Sequence, residues 1–150
     1  LELKESRKKE QMITKMYQGG TFRSDPTNDH SYGTVVTPAL GRKIFHISGT
    51  NDTTVPYAGG SGVGTTFMHS QESTYRFAQA MGFTGSQIPD ASGSAGAPLP
   101  GGTYTPPTAF VLYGYPSVDV FHYKVVGGNH GLGPYGGDSK DLAADFILNY

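Results

Sequence analysis

A chain of 150 residues with 11 Lys and Arg against 12 Asp and Glu, a formal charge of −1, has no electrostatic surplus with which to capture nucleic acid or an anionic membrane. Zero cysteines exclude disulfides and thiolate chemistry, and no apolar run approaches the roughly 20 residues that a membrane helix needs. The length suits one domain with a sizeable core; the N-terminal residues lack the apolar stretch of a secretory signal and the first residue is Leu, so a processed or excised chain is expected, soluble as it stands.

The opening stretch "LELKESRKKEQMITKMYQ" is charge-rich, free of Gly and Pro, and sets Met12, Ile13, Met16 and Tyr17 on one face. That pattern predicts a helix, solvated at its start. Arg7, Lys8 and Lys9 are interleaved with Glu2, Glu5 and Glu10, a solvated face rather than a partner patch. "GGTFRSDPTNDHSYGTVVTPALG" is turn-rich and expected to be irregular. Asp25, Thr27, Asp29 and Ser31 alternate as calcium-loop ligands do, but His30 stands where such a loop needs glycine and Val36 where it needs glutamate, so calcium is set aside. The chain therefore divides into 1–41, a helix and an irregular segment, and 42–150, the body of the domain.

The body opens with "KIFHISGTNDTTVPYAGG", an apolar strand that breaks into turn residues around Asp52. "GTTFMHSQESTYRFAQAMG" predicts a helix with Phe67, Thr74, Tyr75, Ala78 and Met81 along its buried stripe and Gly82 as its stop. "FTGSQIPDASGSAGAPLPGGTYTPPT", with five prolines, predicts a long surface loop. "AFVLYGYPSVDVFHYKVV" predicts two strands joined by a Gly-Tyr-Pro-Ser turn, and "DSKDLAADFILNY" a helix capped by Asp138 or Ser139, with Leu142, Ala143, Phe146, Ile147 and Tyr150 on one face.

This order predicts an α/β fold: a right-handed βαβ crossover with 44–48 and 120–126 parallel in one sheet, apolar on both faces and flanked by helices. His46 and His122 fall inside those strands and are expected to be satisfied core or sheet-face histidines. In open α/β sheets, sites gather beyond the carboxyl ends of parallel strands. Asp52 follows the first strand, and His130, in "GGNHG", follows the second at the same rim. A carboxylate that holds one ring nitrogen while the other deprotonates a hydroxyl is the orienting pair of a nucleophilic triad. Tyr57 and "AGGSGVG" are expected to shape the wall of that site; "GGSGVG" lacks the Lys-Ser/Thr of a phosphate loop, which argues against a nucleotide.

"HISGTNDTTVPYAGG" and "VVGGNHGLGPYGG" resemble the acid and histidine segments of α/β-hydrolases, in particular the polyhydroxybutyrate-depolymerase-like esterases, a group that includes feruloyl and acetylxylan esterases. There the acid segment commonly reads His-Gly-Thr-x-Asp-x-x-Val-Pro-Tyr and the histidine segment Gly-Gly-Gly-His. Asp52, Val55, Pro56 and Tyr57 match the first; Gly127, Gly128 and His130 match the second. Ser48 before Gly49 and Asn129 before His130 depart from the pattern, and the tryptophan that often follows the family's histidine is absent. The resemblance spans about 42–150 with a gap over the proline-rich loop.

A G-x-S-x-G elbow should precede the acid. Ser6, Ser24, Ser31 and Ser48 lack the flanking glycines, and 59–63 around Ser61 and 92–96 around Ser94 each miss one glycine, follow the acid and read as turns. The oxyanion-hole segment is missing too. The resemblance therefore implies the C-terminal portion of an α/β-hydrolase sheet, incomplete on its own, with Asp52 as triad acid and His130 as general base. It implies a carboxylic ester substrate, a polyester or plant cell-wall ester among the candidates, no metal or organic cofactor, and a secreted or periplasmic location. The nucleophile is expected from the N-terminal half of the hydrolase, on another chain or an omitted segment; alone, the polypeptide should not turn over esters. Two alternatives stand beside this reading: a serine peptidase of the same fold, and a non-catalytic carbohydrate-binding fragment suggested by ten tyrosines and 22 glycines.

Overall fold

The computed structural model describes residues 43–150. The expected N-terminal helix, the basic cluster Arg7, Lys8 and Lys9, the calcium-like segment 25–36 and Ser6, Ser24 and Ser31 lie outside the described residues. The elements in chain order are strands β1 (Ile44–Gly49), β2 (Gly60–Gly62) and β3 (Thr65–Phe67), helix α1 (Ser70–Ala80), strands β4 (Ser94–Ala95), β5 (Phe110–Tyr115) and β6 (Val120–Val125), and helix α2 (Gly136–Asn149).

Strands β1, β6, β5 and β4, in that order, form a mixed sheet, while β2 and β3 make a separate hairpin. β1 and β6 run parallel with Ile44 opposite Val120 and His46 opposite His122; the β5–β6 and β4–β5 pairs are antiparallel. Because successive side chains alternate across a strand, the sheet splits its apolar residues between two cores. Phe45, Ile47, Phe110, Phe121, Tyr123 and Val125 pack with Leu142 and Phe146 of α2. Ile44, Tyr115 and Val120 pack with Ala78 of α1. One helix thus covers each face, which is why β1 and β6 read as nearly continuous apolar runs.

Several local expectations are corrected. Helix α1 starts at Ser70, with His69 Nδ1 accepting from the Gln71 amide at 3.1 Å, because 65–67 pairs antiparallel with 60–62 and Phe67 enters the core from a strand. The proline-rich stretch is not only a surface loop: it supplies β4 to the sheet, and its Leu99 is 1% exposed. Asp145 of α2 ties the same stretch down, accepting from the Thr103 amide at 2.8 Å, Thr103 Oγ1 at 2.9 Å and Asn149 Nδ2 at 2.8 Å. Burial opposes the charge on Asp145, but these bonds outweigh it and hold the carboxyl below its usual range.

The turn between β5 and β6 sits two residues later than the Gly-Tyr-Pro-Ser reading. Gly114 and Tyr115 remain in β5, and a 3-10 turn at Pro116–Val118 with left-handed Asp119 reverses the chain. Gly114 suits the strand because a Cβ there would lie 3.0 Å from the Phe121 ring, which would have to give way. Helix α2 begins at Gly136, ahead of both predicted caps. Ser139 lies within its first turn, Oγ on the Tyr135 carbonyl at 2.8 Å, and Asp138 instead accepts from the Tyr104 hydroxyl at 2.6 Å.

Candidate active site

Two turns leave the carboxyl ends of β1 and β6 and are stitched together by backbone. The Thr50 amide donates to the Val125 carbonyl at 2.9 Å, the Asn51 amide to the Gly128 carbonyl at 2.8 Å, and the Gly127 amide to Thr50 Oγ1 at 2.9 Å. The approach is close enough that a Cβ on Gly49 would stand 2.1 Å from the Gly128 oxygen, so only glycine fits there. The Gly-rich sequences around both turns are the condition for bringing Asp52 and His130 to one rim.

Asp52 then folds its carboxylate back over its own segment. Oδ1 accepts from the amides of Thr54 at 2.8 Å and Val55 at 2.9 Å, a local turn that Asp side chains favour. Oδ2 lies 2.9 Å from His130 Nδ1. The Asp52 side chain is 8% exposed and that of His130 61%, so the carboxylate sits behind the imidazole and the ring faces outward. An ionised carboxylate only accepts. It therefore places the proton of a neutral imidazole on Nδ1 and leaves Nε2 with its lone pair on a ring that is largely open to solvent.

The turn bearing His130 has its own brace, which the sequence reading missed. Asn129 Oδ1 accepts from the Gly131 and Gly133 backbone amides, both at 3.0 Å, while the Asn129 backbone N–H donates to the Gly133 carbonyl at 3.1 Å. Asn129 was visible only as a departure from the family pattern; a short amide side chain among glycines is the signal that marks such a self-bonded turn.

Tyr57 does not line the outer wall. It is 7% exposed, and its hydroxyl meets His122 Nε2 at 3.0 Å. His46 and His122 are buried on the α1 face, with rings 4.7 Å apart. His46 Nδ1 is satisfied by Thr74 Oγ1 at 3.1 Å, whereas His122 Nδ1 is buried without a hydrogen-bond partner. Burial lowers the His46 pKa to about 4; burial first, then the neighbouring His46 and His69 rings, put His122 well below the usual imidazole range. Both are therefore neutral at ordinary pH.

None of the serines among the described residues sits in a strand-to-helix elbow at this rim. Ser61 and Ser94, read from sequence as turn residues, lie in strands β2 and β4, and Ser48 is in β1 with a buried Oγ that has no partner. A cleft of about 250 Å³ lined by Ile88, Ser94, Leu112, Gly114, Pro116 and Phe121 contains neither Asp52 nor His130. Comparison of the chain with protein-family models, with curated proteins and with solved structures returns no match.

Proposed function

We propose that this chain supplies the acid and the general base of a serine esterase of the α/β-hydrolase type, with Asp52 orienting His130 for a nucleophilic serine contributed from outside residues 43–150. The observation that carries the reading is the 2.9 Å contact between Asp52 Oδ2 and His130 Nδ1 at the carboxyl ends of two parallel strands, on a ring that is largely open to solvent. In the reaction, Nε2 takes the proton of the seryl hydroxyl as its oxygen attacks the ester carbonyl. It then returns that proton to the departing alkoxide, and the acyl-enzyme is opened by water activated in the same way. Asp52 orients the ring and stabilises the transient imidazolium.

The sheet edge supports a missing neighbour. The Ile44 and Thr50 amides donate to the Asp119 and Val125 carbonyls of the β6 side, so even-numbered positions of β1 face β6. Phe45 and Ile47 therefore turn their backbone groups to the opposite edge, where no described strand pairs with them, although their side chains are only 6% and 7% exposed. A sheet edge so well covered on its faces is suited to a further strand, and such a strand is the natural carrier of the nucleophile. Against the carbohydrate-binding alternative, Tyr57, Tyr113, Tyr115 and Tyr123 are buried, and no tyrosine among the described residues is fully exposed for stacking a sugar.

The test is expression from the full reading frame that encodes this chain. Reaction of a serine with a fluorophosphonate, together with hydrolysis of p-nitrophenyl acetate, is the expected result. Absence of both sinks the esterase reading; cleavage of peptides in preference to esters replaces it with the peptidase.

A further inference from the structure

We propose that the stacked His46–His122 pair is an acid-sensitive latch that holds the Asp52 segment on the sheet through Tyr57, so that protonation of the pair releases that segment before the sheet unfolds. Its consequence for catalysis rests on the esterase reading above; the latch itself does not.

The pair is built to stay neutral. His46 and His122 face each other across the parallel β1–β6 ladder with rings 27° from parallel. Thr74 Oγ1 donates to the Ser70 carbonyl at 3.0 Å, so toward His46 it acts as acceptor and fixes the His46 proton on Nδ1. His122 Nε2 meets the Tyr57 hydroxyl and Nδ1 has no hydrogen-bond partner; the His46 backbone alone favours a charge on this ring, and burial outweighs it. An imidazolium carries two N–H donors. A charged His122 would hold a buried Nδ1–H donor without a partner, beside a second ring 4.7 Å away.

The surroundings do not supply a counter-charge. Tyr57 faces the pair from the Asp52 segment and Tyr113 from β5, with ring centroids 5.7 and 5.9 Å from His122. Lys124 of β6 and His69 at the start of α1 add to the repulsion felt by His122. The nearby carboxylate, Asp90, is already committed: it accepts from Lys124 Nζ at 2.5 Å, Gln71 Nε2 at 2.7 Å and the Tyr113 hydroxyl at 3.0 Å. Glu72 in α1 is paired with Arg76 at 3.0 Å.

Tyr57 transmits the event because it belongs to both structures. It follows Asp52 by five residues, its carbonyl accepts from the Ser70 amide at 2.9 Å, and the Thr54 and Val55 amides that grip Asp52 lie between the two. Protonation of His122 turns Nε2 into a donor only, so the Tyr57 hydroxyl can only accept from it, while the Nδ1–H of the charged ring stays buried without a partner and is favoured only where water reaches it. The bonds of Thr50 and Asn51 to the β6 turn contain no titratable group and remain. The Tyr57 carbonyl likewise stays on the Ser70 amide, so the part released is 52–56, which withdraws the carboxylate from His130 while the sheet stays paired.

The experiment is a titration of the 15N-labelled chain from neutral pH down to about 4, where His46 takes its proton. The Thr54, Val55 and Tyr57 amides should lose their native shifts in one step with the first of the two ring signals, His46 or His122, to titrate, while the Phe121 and Tyr123 amides and the far-UV circular dichroism are unchanged. The double variant His46→Phe/His122→Phe should lack the step. Should that variant not fold, Tyr57→Phe decides: it should show the released shifts of Thr54 and Val55 already at neutral pH. Movement of 54–57 only with global unfolding, a step that survives in the double variant, or native shifts with an unchanged acid step in Tyr57→Phe would each overturn the latch. No substrate enters this readout, so failure of ester hydrolysis leaves it standing and its failure leaves the esterase reading standing.

Discussion

Oδ2 of Asp52 and Nδ1 of His130 meet at 2.9 Å across 78 residues of chain, with the carboxylate 8% exposed behind a ring that is 61% exposed. The pairing fixes which imidazole nitrogen is free to act as the proposed base, and on that reading it makes Asp52 a group whose charge matters more than its bulk. Asp52→Asn keeps an oxygen for the Thr54 and Val55 amides but turns an NH2 group toward Nδ1, which moves the ring proton to Nε2. Ring 15N spectra should show that tautomer change in the isolated chain, and the proposed esterase activity of the protein from its full reading frame should fall by about 10⁴-fold.

Gly49→Ala tests the closeness of the two turns. Its Cβ would be driven to 2.1 Å from the Gly128 oxygen, a backbone atom that cannot swing aside. The turns must separate and the Asn51–Gly128 bond must break. A loss of about 2–4 kcal/mol in urea unfolding is expected, typical of overpacking combined with a lost buried bond.

Asn129→Ala removes the acceptor shared by the Gly131 and Gly133 amides without touching His130. The expected cost is about 1–2 kcal/mol, reduced by the partial access of water to an exposed turn. Hydrogen exchange should quicken at Gly131 and Gly133 and stay unchanged in β6.

These three positions show how far the sequence could be read. Asp52 and His130 were legible because turn residues after apolar strands mark the rim of a parallel sheet. The parallel β1–β6 pair and the burial of His46 and His122 followed from strand pattern alone. The brace at Asn129, the contact at Gly49 and the Tyr57–His122 bond were not legible, since each depends on how segments far apart in the chain approach one another. Local pattern misled where a longer-range partner took over. Phe67 fits a helical stripe yet pairs in a hairpin, Asp138 looks like a cap yet serves Tyr104, and the prolines of 83–108 disguised a strand and the buried Leu99.

Stability should fall in acid with a sign set by the buried histidines. The folded pKa of His46 is lowered from 6.5 to about 4, so the unfolded chain takes up the proton first and stability is lost as pH falls through that window. At about 1.4 kcal/mol per pH unit for one proton, His46 alone accounts for about 3 kcal/mol. Urea midpoints measured across the window should decline steadily, and His46→Phe should flatten the decline.

The most direct test of the central claim is hydrolysis of p-nitrophenyl acetate by the protein expressed from its full reading frame, compared with its His130→Ala variant. With Nε2 of His130 as the base, turnover in the variant should drop by at least about 10³-fold while the fold, judged by circular dichroism, is retained. Equal turnover in the two proteins, or none in either, would contradict it.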